Sequence, residues 1–97
     1  MAEYRLTKKA EEDLLSIALF GLERFGVEQT ESYGDKFREK LEELAQFPDR
    51  YPSVDYIRYG VRRAICGVHS IYYRKESDRV LILRVLGRQD LNQAFDE

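Results

Sequence analysis

Val68-His69-Ser70-Ile71-Tyr72-Tyr73-Arg74-Lys75 is followed, after the polar Glu76-Ser77-Asp78-Arg79, by Val80-Leu81-Ile82-Leu83-Arg84-Val85-Leu86. Both runs are dominated by aliphatic and aromatic residues of strand character, and the few polar residues between them make a turn. Consecutive strands joined so tightly must pair antiparallel. Ile57–Cys66 has the same composition, with Gly60 inside it and Gly67 after it, so three sequential strands form a meander. In the middle strand His69, Ile71 and Tyr73 share one face, opposite Val68, Ser70, Tyr72 and Arg74. In the last strand Leu81, Leu83 and Val85 form a wholly apolar face that suits a helical layer, opposite Val80, Ile82, Arg84 and Leu86. The outer face of the sheet is then only half polar, and an apolar surface of that kind is seldom left without a use.

Upstream of the meander the period changes. Glu3–Thr7 alternates as a short strand, and Thr7 is placed to cap a helix beginning at Lys8. Ala10, Leu14, Ile17, Ala18, Gly21 and Phe25 then recur at three and four residues, the spacing of one helical face. Leu15, Leu19 and Leu22 form a second stripe on the same helix, so its apolar arc is wider than packing against one layer requires. Gly26 breaks the helix, and a second one carries Thr30, Tyr33, Phe37, Leu41 and Leu44 inward until Pro48 ends it. Gly34 inside that helix is either a close helix approach or a tolerated cost. Asp49–Asp55, with a second proline, is a surface loop. The predicted architecture is α+β: an N-terminal strand, a helical hairpin, then a three-stranded antiparallel meander, making a single sheet with the helices on one face.

The 97 residues suffice for one domain, taken as 1–97, with 43% hydrophobic residues for its core. Sixteen Lys and Arg against eighteen Asp and Glu give a net charge of −2, which disfavours a protein whose main work is gripping phosphate backbones. The charge is uneven. Residues 1–48 carry seven basic and eleven acidic side chains, whereas 56–88 carry eight basic and two acidic. That basic stretch, interleaved with Tyr56, Tyr59, Tyr72 and Tyr73, suits either RNA or an acidic protein partner, and the overall charge favours the protein. The longest apolar run, Ile17–Leu22, is too short to span a bilayer, and the charged N-terminus does not read as a signal peptide, so a cytoplasmic chain is expected. Cys66 is single, which removes a disulfide and any cysteine cluster and leaves it as a small core residue; no metal or cofactor is expected.

His69 is the one histidine and the one side chain with an ordinary pKa near neutrality. It reads either as a general acid or base, or as a half-buried strand residue with a satisfied hydrogen bond; the second reading is preferred. Ser70 lies on the opposite strand face and is poorly placed to be activated by it.

Taken in order, Tyr4-Arg5-Leu6-Thr7, Ala10 with Asp13-Leu14 and Ile17, Phe25-Gly26, Tyr33, Gly60-Val61-Arg62-Arg63, His69-Ser70-Ile71-Tyr72-Tyr73-Arg74 and Ile82-Leu83-Arg84-Val85-Leu86 resemble the ParE branch of the RelE/ParE toxin superfamily. The resemblance runs from residue 4 to about residue 91. It implies a bacterial toxin of a type II toxin-antitoxin system of the kind that serves plasmid stabilisation. Such a toxin inhibits DNA gyrase by contact, is not a nuclease, binds no specific nucleic-acid sequence alone, and is held silent in a hetero-oligomer with a ParD-like antitoxin. The alternative is a RelE-like ribosome-dependent mRNA endonuclease. RelE-like chains resemble Tyr-Arg-Leu-Val-Tyr in the strand where this chain has His69 at the arginine's place, and RNA cleavage needs a base, an acid and positive charge together. Catalytic residues are therefore expected to be none. Arg62, Arg63, Tyr73, Arg84 and Arg88 are the candidates for target contact. Leu15, Leu19 and Leu22 are the candidates for antitoxin binding, unless they pack on Phe37 and Leu41 within the hairpin. ParE-like chains often carry His-Gly-Arg-Arg-Asp after the last strand; Gly87-Arg88-Gln89-Asp90 here lacks the histidine and one arginine.

Overall fold

The computed structural model describes residues 3–87. Strand β1 (Tyr4–Leu6) leads into helix α1 (Lys8–Phe25) and helix α2 (Val27–Gln46), followed by β2 (Val61–Cys66), β3 (His69–Lys75) and β4 (Val80–Leu86). The strands form one sheet in the order β1-β4-β3-β2, antiparallel except for β1, which runs parallel to β4 with Tyr4 opposite Val80 and Leu6 opposite Ile82. This is the predicted α+β architecture, with the N-terminal strand at the β4 edge.

Thr7 sets the geometry of the first turn. Its Oγ1 accepts from the Ala10 amide at 3.0 Å, capping α1, and donates to the Leu83 carbonyl at 2.9 Å. Its own amide continues the parallel ladder to the Ile82 carbonyl at 3.0 Å. A single residue joins the two helices: Gly26, at φ 87° and ψ 176°, donates to the Leu22 carbonyl and accepts from the Thr30 amide. That backbone conformation is essentially open to glycine alone. The helices approach closely at Gly21, where an added Cβ would stand 2.8 Å from Thr30 Oγ1. Gly34 faces open space, so it is a tolerated glycine and not the close approach.

The main core lies between the helices and the sheet. Ala10, Phe37, Leu41 and Leu44 pack there with Ala64, Cys66, Ile71, Tyr73, Val80, Ile82 and Val85, supported by Leu14 and Ile17. Phe25, predicted on the inward face of α1, is instead 58% exposed at the last residue of the helix.

Two readings of the meander require correction. Residues Ile57–Gly60 are not part of β2; they belong to a turn that folds over the sheet face away from the helices, where Val54 and Ile57 pack with Val61, Tyr72, Leu83 and Leu86. The part of that face around Val61, Tyr72, Leu83 and Leu86 is thus covered, while Ile65 and Arg74 on it stay exposed. In β4 the strict alternation fails because the register shifts: Tyr72 stands opposite Arg84 and Tyr73 opposite Ile82, leaving Leu83 as an extra residue. This bulge moves the phase by one, so Val80, Ile82 and Val85 face the helices and Leu83 and Leu86 the other side.

Candidate functional site

The α1 stripe is exposed. Leu15 and Leu19 retain 60% and 58% of their surface and Leu22 44%, with Phe20 and Val27 also open. Phe37 and Leu41, the expected intramolecular partners, are occupied in the main core. The helical spacing therefore places three leucines on one solvent-facing strip, a surface that an amphipathic partner segment can cover.

The sheet side chains are arranged differently from expectation. Tyr73 is completely buried, and its hydroxyl donates to the Pro48 carbonyl at 2.7 Å. Desolvation pushes its pKa up to about 12 against the opposing influence of Arg62, so it is held as a neutral phenol. Arg84 is equally committed. Its Nε and Nη2 donate to the two Asp13 carboxylate oxygens at 2.8 and 3.0 Å, and the side chains are only 18% and 15% exposed. Asp13 Oδ2 also accepts the Val85 amide at 2.9 Å. The β1–β4 ladder ends at Leu6, so Thr7 and Asp13 take up the backbone groups along the rest of the β4 edge. Tyr73 and Arg84, both expected as target contacts, are therefore engaged within the fold. The signal for this pairing in the sequence is Asp13 itself, an acidic residue spaced three from Ala10 and four from Ile17 on an inward helical face.

Arg62 is half-buried: Nη1 donates to the Tyr51 carbonyl at 2.6 Å, and Nη2 lies 3.8 Å from Asp49. Arg63 follows on β2, its side chain on the sheet face opposite the helices by strand alternation, and is partly exposed. Arg88 lies outside the described residues, as does the rest of the C-terminal motif beyond Gly87. The basic stretch as a whole is much less positive than its sequence. Arg62 and Lys75 meet Asp49, Arg74 and Arg79 meet Glu76, and Arg84 meets Asp13, so five of its eight basic side chains lie within 4.0 Å of a carboxylate. Asp49 and Asp13 come from outside the stretch, which is why local charge counting overstates the patch.

His69 is half-buried against the rings of Tyr33 and Phe37, each with its centroid 5.7 Å away, and those two rings meet edge to face at 5.1 Å. Tyr33 Oη lies 2.8 Å from His69 Nδ1 and 3.0 Å from the Cys66 carbonyl, and accepts the Val68 amide at 3.2 Å. One phenolic proton serves this site. Donating it to Cys66, while accepting from Val68 and from Nδ1–H, satisfies every group, and this network assigns the Nδ1–H tautomer to neutral His69. Burial lowers the imidazole pKa below 6.5. The same hydroxyl explains Gly67, which has φ 61° in the two-residue β2–β3 turn and whose added Cβ would lie 2.3 Å from Tyr33 Oη. Tyr33 thus ties the hairpin to α2, and His69 supports that tie. Cys66 is buried, and desolvation raises its pKa, which makes it a poor nucleophile.

Among the described residues, no three or more His, Cys, Asp or Glu side chains are grouped to hold a metal, and no helix is long and apolar enough to cross a membrane.

The described residues thus form a small two-layer α+β fold with an exposed leucine strip on α1 and with Tyr73 and Arg84 of the sheet bonded within the fold. Residues 4–92 match the family model described as ParE toxin of type II toxin-antitoxin system, parDE, and the chain belongs to that family. It is 36% identical over 92 residues to Toxin ParE1 of Caulobacter vibrioides, covering 95% of this chain and 94% of the relative. Its fold is similar to a chain of the solved chromosomal ParDE TA system from P. aeruginosa, with a TM-score of 0.77 and 23% identity over 92% of this chain and 98% of that one.

Proposed function

We propose that this toxin acts by inhibiting DNA gyrase through protein-protein contact, that it breaks no nucleic-acid bond, and that a ParD-like antitoxin silences it by laying a helix along Leu15, Leu19 and Leu22. Family membership supports the toxin-antitoxin setting. The observation that carries the non-nuclease reading is the internal commitment of the polar sheet groups: Tyr73 to Pro48, Arg84 to Asp13, and His69 Nδ1 to Tyr33. Cleavage through a 2′-hydroxyl needs a base, an acid and a cation converging on one phosphate, and these three groups are each held to a different partner. The leucine strip supports the antitoxin site, since covering it removes exposed apolar surface from water.

The test is a reaction of purified gyrase with supercoiled plasmid and the free toxin. Accumulation of linear, protein-linked DNA that disappears when antitoxin is added supports the proposal. Unaltered supercoiling at saturating toxin overturns the gyrase assignment.

A further inference from the structure

The turn covering the outer sheet face carries the two most exposed aromatic side chains of the described residues, Tyr56 at 79% and Tyr59 at 89%. The segment beneath them is tightly built. Val54 donates its amide to the Val61 carbonyl at 2.8 Å, and its own carbonyl accepts from Ile57 and Arg58 at 2.8 and 3.1 Å. The Val61 amide returns to the Arg58 carbonyl at 3.2 Å. Asp55, the one carboxylate of residues 54–60, accepts the Gly60 amide at 2.8 Å where the chain turns at φ 83°. Val54 and Ile57 anchor this turn in the second core cluster. Two tyrosines are therefore held outward on a platform that is already ordered.

Rigid tyrosines lose little conformational entropy on binding, and tyrosine and arginine together are the side chains most enriched in protein interfaces. Arg58 lies between the two tyrosines in sequence, while Arg63 and Arg74 occupy the same sheet face by strand alternation. Asp55 keeps its charge while it accepts the Gly60 amide, and Glu76 lies 3.8 Å from Arg74, so three arginines stand against two carboxylates around the tyrosines and the surplus is one positive charge. The leucine strip lies on α1, on the opposite side of the sheet.

Resting on the protein-contact reading above, we infer that the 54–60 turn is the surface with which the toxin grips its target, Tyr56 and Tyr59 serving as anchors against an acidic protein patch. The toxin then has two separate faces: antitoxin binds on the helical hairpin, and the target binds on the far side of the sheet. This turn takes the place of Tyr73 and Arg84, which are buried or paired, as the source of target contact.

The test uses the full chain with Tyr56→Ala and Tyr59→Ala combined, beside the Tyr56→Phe and Tyr59→Phe pair and Arg63→Glu. The readouts are melting temperature, antitoxin affinity by calorimetry, growth arrest on induction, and gyrase-dependent plasmid cleavage. Because both rings are largely in solvent, the double alanine variant is expected to melt within a few degrees of wild type and to keep its antitoxin affinity. It is expected to need at least tenfold more protein for growth arrest, with the phenylalanine pair restoring most of the activity and Arg63→Glu weakening it. Growth arrest by the alanine variant at wild-type dose overturns the inference, as does loss of antitoxin affinity in parallel with toxicity. An unaffected Arg63→Glu variant overturns the acidic character of the partner. Specific RNA binding by wild type that is lost in the alanine variant overturns it in favour of nucleic acid. If wild type arrests growth yet leaves gyrase untouched, while the alanine variant no longer arrests growth, the gyrase assignment fails and the turn stands.

Discussion

Removing the Asp13 carboxylate tests the assignment of Arg84 to the scaffold. In Asp13→Ala three hydrogen bonds are lost at once, two from the Arg84 guanidinium and one from the Val85 amide. The amide is left at the β4 edge without its acceptor, which costs about 1–3 kcal/mol when water cannot reach it. A fully buried ion pair broken on one side costs about 3–5 kcal/mol, and the residual exposure of 15–18% reduces that figure. The two estimates overlap, and a total near 3 kcal/mol is expected, of order 15 °C in Tm for a domain of this size. Arg84→Met leaves the Asp13 carboxylate with the Val85 amide and should cost about 2 kcal/mol, whereas Asp13→Ala combined with Arg84→Met removes both charges and should cost less than the two single changes added together, by about 1.5 kcal/mol or more. Urea titrations followed by circular dichroism measure all three. Additive losses, or an Asp13→Ala loss below about 1 kcal/mol, refute the clamp. Growth arrest by the double variant, normalised to folded protein, should match wild type; selective loss of toxicity at unchanged stability would return Arg84 to target contact.

Leu15→Glu with Leu19→Glu should leave Tm nearly unchanged, because both side chains are more than half exposed, and should weaken antitoxin binding by several kcal/mol in calorimetry; unchanged affinity removes the strip from the interface. Gly26→Ala and Gly34→Ala should move stability in opposite directions by denaturant titration: a loss of about 1–3 kcal/mol at Gly26 from its backbone conformation, and a gain of about 0.5–1 kcal/mol at Gly34, where the new methyl meets nothing. His69→Gln should cost about 1 kcal/mol and keep toxicity per folded molecule. Because burial depresses the folded pKa of His69, the unfolded chain takes up the proton first as pH falls below 6.5, so wild type should lose stability from pH 7.5 to 5.5. That loss should be smaller in His69→Gln; equal pH profiles contradict the assignment. Glu43, whose pKa the Tyr51 hydroxyl lowers most, with Lys40 and Arg50 acting in the same direction, adds a second loss only below pH 4.5.

The helices and strands were legible because hydrophobic spacing is a local signal. Thr7 as a cap, Gly26 as the break and the strands through His69–Lys75 and Val80–Leu86 follow from residue type and period alone. What the sequence hid was long-range. The Leu83 bulge has no compositional mark, and one extra residue reverses the facing of the second half of β4. The partners of Arg84 and Lys75 lie 71 and 26 residues away, so an apparently basic stretch proved to be largely paired. Tyr73 and Tyr72 look equally available in the sequence, yet each is buried on its own side of the sheet. The leucine strip was visible as an over-wide apolar arc, whereas its exposure depended on where the second helix lay.

A single reaction containing translating ribosomes with a defined mRNA, gyrase and plasmid, sampled after addition of free toxin, addresses both the grip of this fold and its chemistry. Gyrase-linked plasmid breaks beside full-length mRNA, read by primer extension, are the expected result. Codon-linked cuts in the mRNA with normally supercoiled plasmid would contradict it.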